Sequence, residues 1–149
     1  MLTVVLVDPK IPQNTGNIGR LCAANDVRLH IVGEPAFDLS DSAVKRAGLD
    51  YWPFLDFETF SDTTAYFDRI QSKPKHLLTT KATQTIYERS FGVDDYLIFG
   101  GETEGLDYDL RSRFMSDCCS LPMTNPNIRS LNLSNAVAVC LYHSKYHLS

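Results

Sequence analysis

The chain has no excess of basic residues: it carries 14 lysines and arginines against 18 aspartates and glutamates, a formal net charge of −4. Affinity for nucleic acid comes largely from cations that neutralise phosphates, so proteins that bind it through their whole surface are strongly basic. The composition excludes such a protein, and any contact with nucleic acid must come from a local cluster. The candidate clusters are Lys45 with Arg46, Lys73 with Lys75 and His76, Arg111 with Arg113, and Arg129 with Lys145.

Paired cysteines and a long apolar run are also missing. The four cysteines lack the C-x-x-C pairs of a zinc site and the four histidines form no cluster, so no metal site is predicted. Cys22 and Cys140 lie on apolar helical faces, which favours reduced core thiols. The longest apolar run, 136–142, is far shorter than a membrane span, and no signal-peptide pattern opens the chain. We therefore expect a cytoplasmic protein.

Apolar segments with strand and helix periods alternate along the chain, without a linker or an internal repeat. A length of 149 residues corresponds to a single domain, 1–149. This alternation predicts an α/β fold, with a parallel sheet between helices on both faces. The predicted strands are 3–7, 28–32, 76–80, 96–100 and 118–121, and the predicted helices are 16–26, 40–47, 61–72, 106–114 and 132–146.

The segment 128–143, IRSLNLSNAVAVCLYH, is the most informative part of the chain. Its residues 136–141 are apolar on every side, which is typical of a helix that is buried all round. Asn132, Ser134 and Asn135 precede them and can cap the helix. Two interpretations stay open from these residues alone. One is an ordinary capped core helix, and the other is a polar loop, held inside the fold, that binds a small polar ligand.

Two glycine-containing segments favour a ligand site. The run 14–20, NTGNIGR, predicts a helix that begins with Asn14 or Thr15 as its cap, and its glycines lower helix propensity. Glycine there suggests a close approach to the backbone. The run 97–99, LIF, predicts a buried strand that leads directly into GGETEG at 100–105. A glycine-rich turn after a buried strand is where open α/β sheets bind ligands.

Other chemistries fit these motifs poorly. The GGETEG turn does not have the GxGxxG spacing of a dinucleotide-binding loop, and it does not belong to a first strand–helix unit. Ser130 and Ser134 have no histidine or acid at a supporting position, so a cap or a ligand contact is preferred to a nucleophile.

Six motifs together resemble one family, the SPOUT superfamily of RNA methyltransferases, and most closely its small TrmL (YibK) type of tRNA wobble-nucleotide 2′-O-methyltransferase. They are NTGNIGRLC at 14–22, RAGLDY at 46–51, LTTK at 78–81, FGGETEGL at 99–106, LPM at 121–123 and RSLNLSNAV at 129–137. The motifs cover nearly the whole chain in the family's order. The resemblance implies a C-terminal trefoil knot, which the periodicity of the sequence does not itself reveal.

The resemblance also implies S-adenosylmethionine as methyl donor and a set of site residues. The residues expected to bind the cofactor are Leu78, Thr79, Gly100, Glu102, Gly105, Leu121, Met123, Ser130 and Leu131. The residues expected to act in catalysis are Asn14, Arg20, Glu102, Asn132 and Tyr142. Glu102 would compensate the sulfonium charge. A bulky side chain at Gly100 is expected to abolish cofactor binding and leave the fold intact.

Arg20 corresponds to the family's catalytic arginine for 2′-O transfer. A guanidinium has no acceptor site, so its expected role is to orient the ribose and phosphate and to stabilise the developing alkoxide. Tyr142 corresponds to a tyrosine on the RNA side of the site, and a core or dimer-interface position stays open for it. Glu104 departs from the family pattern, in which a basic or neutral residue is common.

The implied function is 2′-O-methylation of the wobble nucleotide, cytidine or uridine 34, in tRNA, with leucine isoacceptors as the expected substrates. The alternatives are methylation at another tRNA position or of rRNA, and a non-catalytic protein that binds RNA or the cofactor. Because basic residues are sparse, we expect a homodimer that brings Arg20 and the Lys45–Arg46 pair of one subunit to the cofactor loops of the other. The expected interface contains Val137, Leu141 and Tyr142 together with Leu21 and Cys22.

Overall fold

The structure is a computed structural model that describes residues 1–38 and 50–148. The helix predicted at 40–47 and the Lys45–Arg46 pair lie outside the described residues. The described residues form six strands and four α-helices. The strands are β1 (Thr3–Val7), β2 (Arg28–Val32), β3 (Phe57–Phe60), β4 (Lys75–Leu78), β5 (Tyr96–Phe99) and β6 (Cys118–Cys119); the helices are α1 (Pro12–Ala24), α2 (Thr63–Arg69), α3 (Tyr108–Arg113) and α4 (Leu133–Tyr146).

The strands form one sheet in the order β3-β2-β1-β5-β4-β6, and every neighbouring pair is parallel. The predicted α/β class with a parallel sheet is therefore confirmed. The chain moves outward from β1 to β2 and β3, and later builds β4, β5 and β6 on the other side of β1. Neighbouring strands β1 and β5 thus mark a topological switch point, where open α/β sheets bind ligands beyond the carboxyl ends of the strands.

Alternate residues of the central strands face two separate apolar clusters, because successive side chains in a strand point to opposite sides. Val4, Leu6 and Phe99 pack on the side of α1 and α4. Val5 and Ile98 pack on the side of α2, with the aromatic pair Tyr66 and Phe67. Both faces of the sheet are covered, as a parallel sheet requires.

The boundaries of several elements differ from the predicted ones. Helix α1 begins at Pro12, before the predicted caps Asn14 and Thr15, because proline is well suited to the first helical turn. Helix α2 begins at Thr63, after the cap residue Asp62, whose side chain accepts from the Ala65 amide at 3.0 Å. Strand β3 was not predicted at all.

Helix α4 is not buried all round, contrary to the prediction from its composition. Val137, Cys140 and Leu141 are fully buried, whereas Val139, Tyr142 and Tyr146 face solvent. The outward face of this helix is therefore apolar and aromatic. Within the described part of the chain, no helix combines the length and the apolar character needed to cross a membrane.

Candidate active site

A cavity of about 560 Å³ opens where β4 and β5 end. Its lining comes from three loops, which follow β4, follow β5 and precede α4. The lining includes all nine residues that the sequence predicted to bind a cofactor: Leu78, Thr79, Gly100, Glu102, Gly105, Leu121, Met123, Ser130 and Leu131. Three loops that are far apart in the sequence thus meet at one site, beside the switch point of the sheet.

The glycine-rich turn after β5 closes on itself. The Gly105 amide donates to the Gly101 carbonyl at 2.9 Å, and Gly105 has a φ of +68°, which favours glycine. A Cβ on Gly100 would stand 2.0 Å from the Gly105 carbonyl carbon and 2.3 Å from the Leu106 amide nitrogen. Any side chain at Gly100 would thus displace backbone. The expectation that a bulky residue there leaves the fold intact is wrong for this turn.

Glu102 joins this turn to the beginning of α1. Its carboxylate accepts from the backbone amides of Lys10 at 2.7 Å and Ile11 at 3.0 Å, and from Asn14 Nδ2 at 3.3 Å. The cap residue of α1, Ile11, has no side-chain acceptor of its own. A negative charge is favourable at the positive end of a helix, so Glu102 serves as the cap that α1 lacks. The side chain both borders the cavity and fixes α1 to it.

Asn14 and Asn132 extend this contact to the third loop. Asn132 Nδ2 donates to Asn14 Oδ1 at 3.2 Å, and Asn132 Oδ1 accepts from the Asn135 amide at 3.3 Å as the N-cap of α4. Ser134 Oγ also donates to Asn132 Oδ1, at 2.6 Å. Asn14 is buried, with 6% of its surface exposed. Three predicted catalytic residues, Glu102, Asn14 and Asn132, therefore form one hydrogen-bonded chain that is centred on a buried amide.

Arg20 lies on the exposed face of α1 and does not border the cavity. Its Nη2 donates to Asp50 Oδ1 at 3.1 Å, and its guanidinium carbon lies 5.6 Å from the centre of the Tyr51 ring. The buried Tyr51 hydroxyl donates to the Gly16 carbonyl, and burial raises the pKa of this phenol. A Cβ on Gly19 would stand 2.9 Å from the same hydroxyl oxygen. Because Gly19 has no side chain, the Tyr51 ring can pack against α1 beneath Arg20.

Tyr142 is also separate from the cavity within one chain. It is 57% exposed on α4, and its hydroxyl accepts from Asn25 Nδ2 at 3.4 Å. Ala136, which borders the cavity, lies six residues earlier, about 9 Å along the helix axis at 1.5 Å per residue. A core position for Tyr142 is therefore excluded, and a surface position is found.

Sequence reasoning did not identify several charged or aromatic residues near these groups. Lys81, Arg111 and Arg129 border the cavity. Lys81 was noted only as part of the LTTK motif, and Arg111 and Arg129 only as members of candidate basic clusters. Asp50 and Tyr51 were noted as part of a motif, without a role. For Lys81 and Arg129 the available signal is position at the end or the start of a motif that borders the cavity. Arg111 lies outside every motif, and the motif with Asp50 and Tyr51 contributes no residue to the cavity lining.

The buried thiols are chemically inert at neutral pH. Burial raises the pKa of Cys22 to about 12 and that of Cys119 to about 11. A thiol that keeps its proton is neither a nucleophile nor a metal ligand. These residues act as small apolar side chains in the core on the α1 and α4 side.

Comparisons with known proteins give matches over nearly the whole chain. A family profile described as the SpoU rRNA Methylase family matches residues 1–142. The tRNA (cytidine(34)-2′-O)-methyltransferase of Saccharophagus degradans is 42% identical over 147 residues, which cover 97% of this chain and 94% of that protein. A structure described as giving insights into the 2-OH methylation of C/U34 on tRNA has a TM-score of 0.92 and 37% identity, covering 99% of this chain and 95% of its own.

A more distant structure shares the fold. The SpoU methyltransferase AviRb from Streptomyces viridochromogenes, in complex with the cofactor AdoMet, has a TM-score of 0.84 at 24% identity. The alignment covers 97% of this chain and 59% of AviRb. Together with the full-length relatives, these matches show that the chain belongs to the SpoU rRNA methylase family and has the SPOUT methyltransferase fold.

Proposed function

We propose that the protein transfers the methyl group of S-adenosylmethionine to the ribose 2′-oxygen of the wobble nucleotide, cytidine or uridine 34, in tRNA. The observation that carries this proposal is the cavity at the ends of β4 and β5, bordered by the Glu102–Asn14–Asn132 chain of hydrogen bonds. The names of the close relatives, which specify 2′-O-methylation of nucleotide 34, support the substrate. We propose leucine isoacceptors as the tRNA substrates.

The cavity fits S-adenosylmethionine in size and chemistry. Its volume of about 560 Å³ lies within the roughly 300–1,000 Å³ that is typical of cofactor sites. Leu78, Leu121 and Leu131 offer apolar walls for an adenine ring, and the backbone of the 100–105 turn offers donors and acceptors. When bound, S-adenosylmethionine supplies an activated methyl group, so the protein needs mainly to position the acceptor oxygen.

Different residues of the site hold the protein loops and the RNA in position. Glu102, Asn14 and Asn132 fix the turn after β5, the start of α1 and the start of α4 relative to one another. Arg20, held by Asp50 and Tyr51, binds the phosphate beside the target ribose and stabilises the negative charge that develops on the 2′-oxygen. Since a guanidinium accepts no proton, the hydroxyl proton leaves to a water or a phosphate oxygen.

We propose that the protein is a homodimer in which Arg20 of one subunit lies beside the cofactor cavity of the other. In its own chain Arg20 does not border the cavity, so the arginine of one subunit would act at the cavity of the other. The outward apolar residues of α4 are Val139, Tyr142 and Tyr146, and they give a surface for an isologous contact. This set corrects the predicted interface, because Val137, Leu141 and Cys22 are fully buried within the chain.

The function is tested by methyl transfer to defined RNA. Purified protein and S-adenosylmethionine are incubated with tRNA transcripts, and the nucleosides are mapped by mass spectrometry. We expect 2′-O-methylation at nucleotide 34 of leucine tRNA. Methylation only at another position or in rRNA would replace the proposed substrate. Cofactor binding without methylation of any RNA would favour the non-catalytic alternative.

The cofactor site is tested separately by filling the cavity. Ser130→Trp places an indole at the cavity border, and Asn127→Trp places the same group in the same loop, outside the lining. We expect Ser130→Trp to lower the affinity for S-adenosylhomocysteine at least ~10-fold in titration calorimetry, because a bulky group occupies the cavity. Asn127→Trp should bind as the wild type does, and equal losses in both variants would argue against this site.

A further inference from the structure

A second cavity, of about 340 Å³, adjoins the first and has no role in the chemistry described so far. It lies between the loop after β4 and helix α3. Thr79, Lys81 and Arg111 border both cavities, so the two spaces share these side chains as a common rim. A ligand in the second cavity would therefore lie directly beside a cofactor in the first.

The common rim carries two positive charges, those of Lys81 and Arg111. Neither Lys81 nor Arg111 has a carboxylate partner among the described residues. The acidic groups beside them are engaged elsewhere, because Glu102 accepts three N–H groups and Glu104 lies 3.8 Å from Lys10. In a chain of net charge −4, two cations on one rim without a carboxylate partner among the described residues indicate a site for an anion.

Two large and strongly exposed side chains border the second cavity and not the first. Tyr108 and Met115 are each 71% exposed. The guanidinium carbon of Arg111 lies 5.7 Å from the centre of the Tyr108 ring, which places the cation beside the aromatic face. An exposed aromatic ring next to a cation is the arrangement on which proteins stack the bases of single-stranded nucleic acid.

We propose that the second cavity binds a nucleotide of the RNA substrate next to the methylated one. Its phosphodiester group lies between Lys81 and Arg111, and its base stacks on Tyr108. This inference rests on the proposed function, since it assigns a second contact to the same RNA. It also explains how an acidic protein obtains affinity for RNA, because the cations are concentrated where the strand enters the site.

An RNA phosphate fits this rim better than the carboxylate of the cofactor does. The amino-acid end of S-adenosylmethionine carries an ammonium group beside its carboxylate, so it offers a pair of cations little net charge. Arg129, on the border of the first cavity, adds a third cation without a carboxylate partner among the described residues. Tyr108 and Met115 belong only to the second cavity, where the cofactor carboxylate would leave them uncovered.

The test compares equal charge changes on the rim and away from it. The rim variants are Lys81→Ala and Arg111→Gln, and the control is Arg69→Gln, an exposed arginine at the end of α2 that borders neither cavity. We expect each rim variant to raise KM for tRNA about 5-fold or more, and to flatten the dependence of log KM on log salt concentration by about 0.7 to 0.9. The control should match the wild type.

Two further measurements separate the possible ligands. Tyr108→Ala should raise KM for tRNA about 10-fold, whereas Tyr108→Phe keeps the ring and should not. Titration with S-adenosylhomocysteine should give wild-type affinity for all rim variants. A parallel loss of that affinity would assign the rim to the cofactor carboxylate and overturn the proposal. Unchanged KM in an active enzyme would overturn it too, while a wild type that methylates no RNA would overturn the proposed function.

Discussion

Arg20 depends on two neighbours that come 30 residues later in the sequence. The ion pair with Asp50 is exposed on both sides, so it contributes at most about 1 kcal/mol to stability. The ion pair matters more for orientation, because Asp50 and the Tyr51 ring together hold the flexible Arg20 side chain in one position. A phosphate that arrives at Arg20 can then replace the carboxylate without a search through side-chain rotamers.

Replacement of Arg20 should separate binding from catalysis. We expect Arg20→Ala to keep the affinity for S-adenosylhomocysteine and to lower the single-turnover rate of methylation at least ~100-fold, because the lost contact matters most in the transition state. Arg20→Lys should fail similarly, since an ammonium cannot reproduce the planar guanidinium fork. Rates within a few-fold of the wild type in either variant would remove Arg20 from the mechanism.

A control for Arg20 is available in Arg113. This arginine also forms an exposed ion pair, with its Nη2 2.7 Å from Asp68 Oδ1, and it borders neither cavity. Arg113→Ala makes the same change of charge and should leave the single-turnover rate unchanged. A comparable loss in both variants would point to general electrostatics and not to a specific role of Arg20.

At the scale of elements, the sequence predicted five of the six strands, because their apolar runs are buried on both faces. It missed β3 because FETF at 57–60 is short and half-exposed at the edge of the sheet, so it lacks such a run. The start of α1 was also missed. Its cap comes from Glu102, a residue about 90 positions away, and no local pattern can reveal that contact.

Glu102 therefore offers a prediction about the stability of α1. Glu102→Gln removes the charge and presents an amide donor where two backbone amides need an acceptor. We expect the free energy of unfolding to fall by about 1.5–3 kcal/mol, the range for hydrogen bonds to a charged group. Denaturant unfolding followed by circular dichroism measures this change.

Glu104→Gln is the matched control, two residues away in the same turn. Its carboxylate is 72% exposed and lies 3.8 Å from Lys10, so its loss should cost less than about 1 kcal/mol. Equal destabilisation by the two substitutions would show that Glu102 contributes only surface charge.

At the scale of the whole molecule, the sequence predicted the members of the site better than their arrangement. All nine expected cofactor residues border one cavity, because their motifs come at the ends of adjacent strands. Arg20 and Tyr142 do not border it within the chain, and membership of a motif could not reveal this. Lys81 and Arg111 lack a carboxylate partner among the described residues because the nearby carboxylates point elsewhere. The sequence could not predict these side-chain directions.

Stability should fall on mild acidification because of two buried histidines. Burial lowers the pKa of His30 and His76 below the ordinary value of 6.5, although the hydrogen bond from His76 to Asp95 opposes this shift. Between the lowered pKa and about 6.5 the unfolded chain binds more protons than the folded one, so stability rises with pH in this window. Above the window both forms are neutral and the full stability is present.

The melting temperature measured between pH 7.5 and 5.5 checks this expectation. It should fall with pH in the wild type, and less steeply in His30→Gln and His76→Gln, which have no imidazole to protonate. His147→Gln, at an exposed side chain after α4, should keep the wild-type slope. A flat profile in the wild type would contradict the role of the buried histidines.

The proposed dimer makes a prediction about solution assembly. Val139→Glu places a charge on the apolar outer face of α4, beside its own copy in a two-fold contact, and should convert a dimer to a monomer in sedimentation equilibrium. Val93→Glu is the matched control, because Val93 is also exposed but lies in the loop before β5. The control should remain dimeric, and a Val139→Glu dimer of full activity would exclude this face.

Mixing two impaired variants, at a cofactor concentration too low to load Ser130→Trp, tests whether one subunit completes the cavity of the other. Arg20→Ala keeps its cavity and lacks the arginine, whereas Ser130→Trp keeps the arginine and has a blocked cavity. After random exchange, about half of the dimers are mixed, and each holds one intact cavity facing one intact Arg20. Methylation should therefore recover to about a quarter of the wild-type rate. If Arg20 acted within its own chain, every site in the mixture would lack one part and no activity would return.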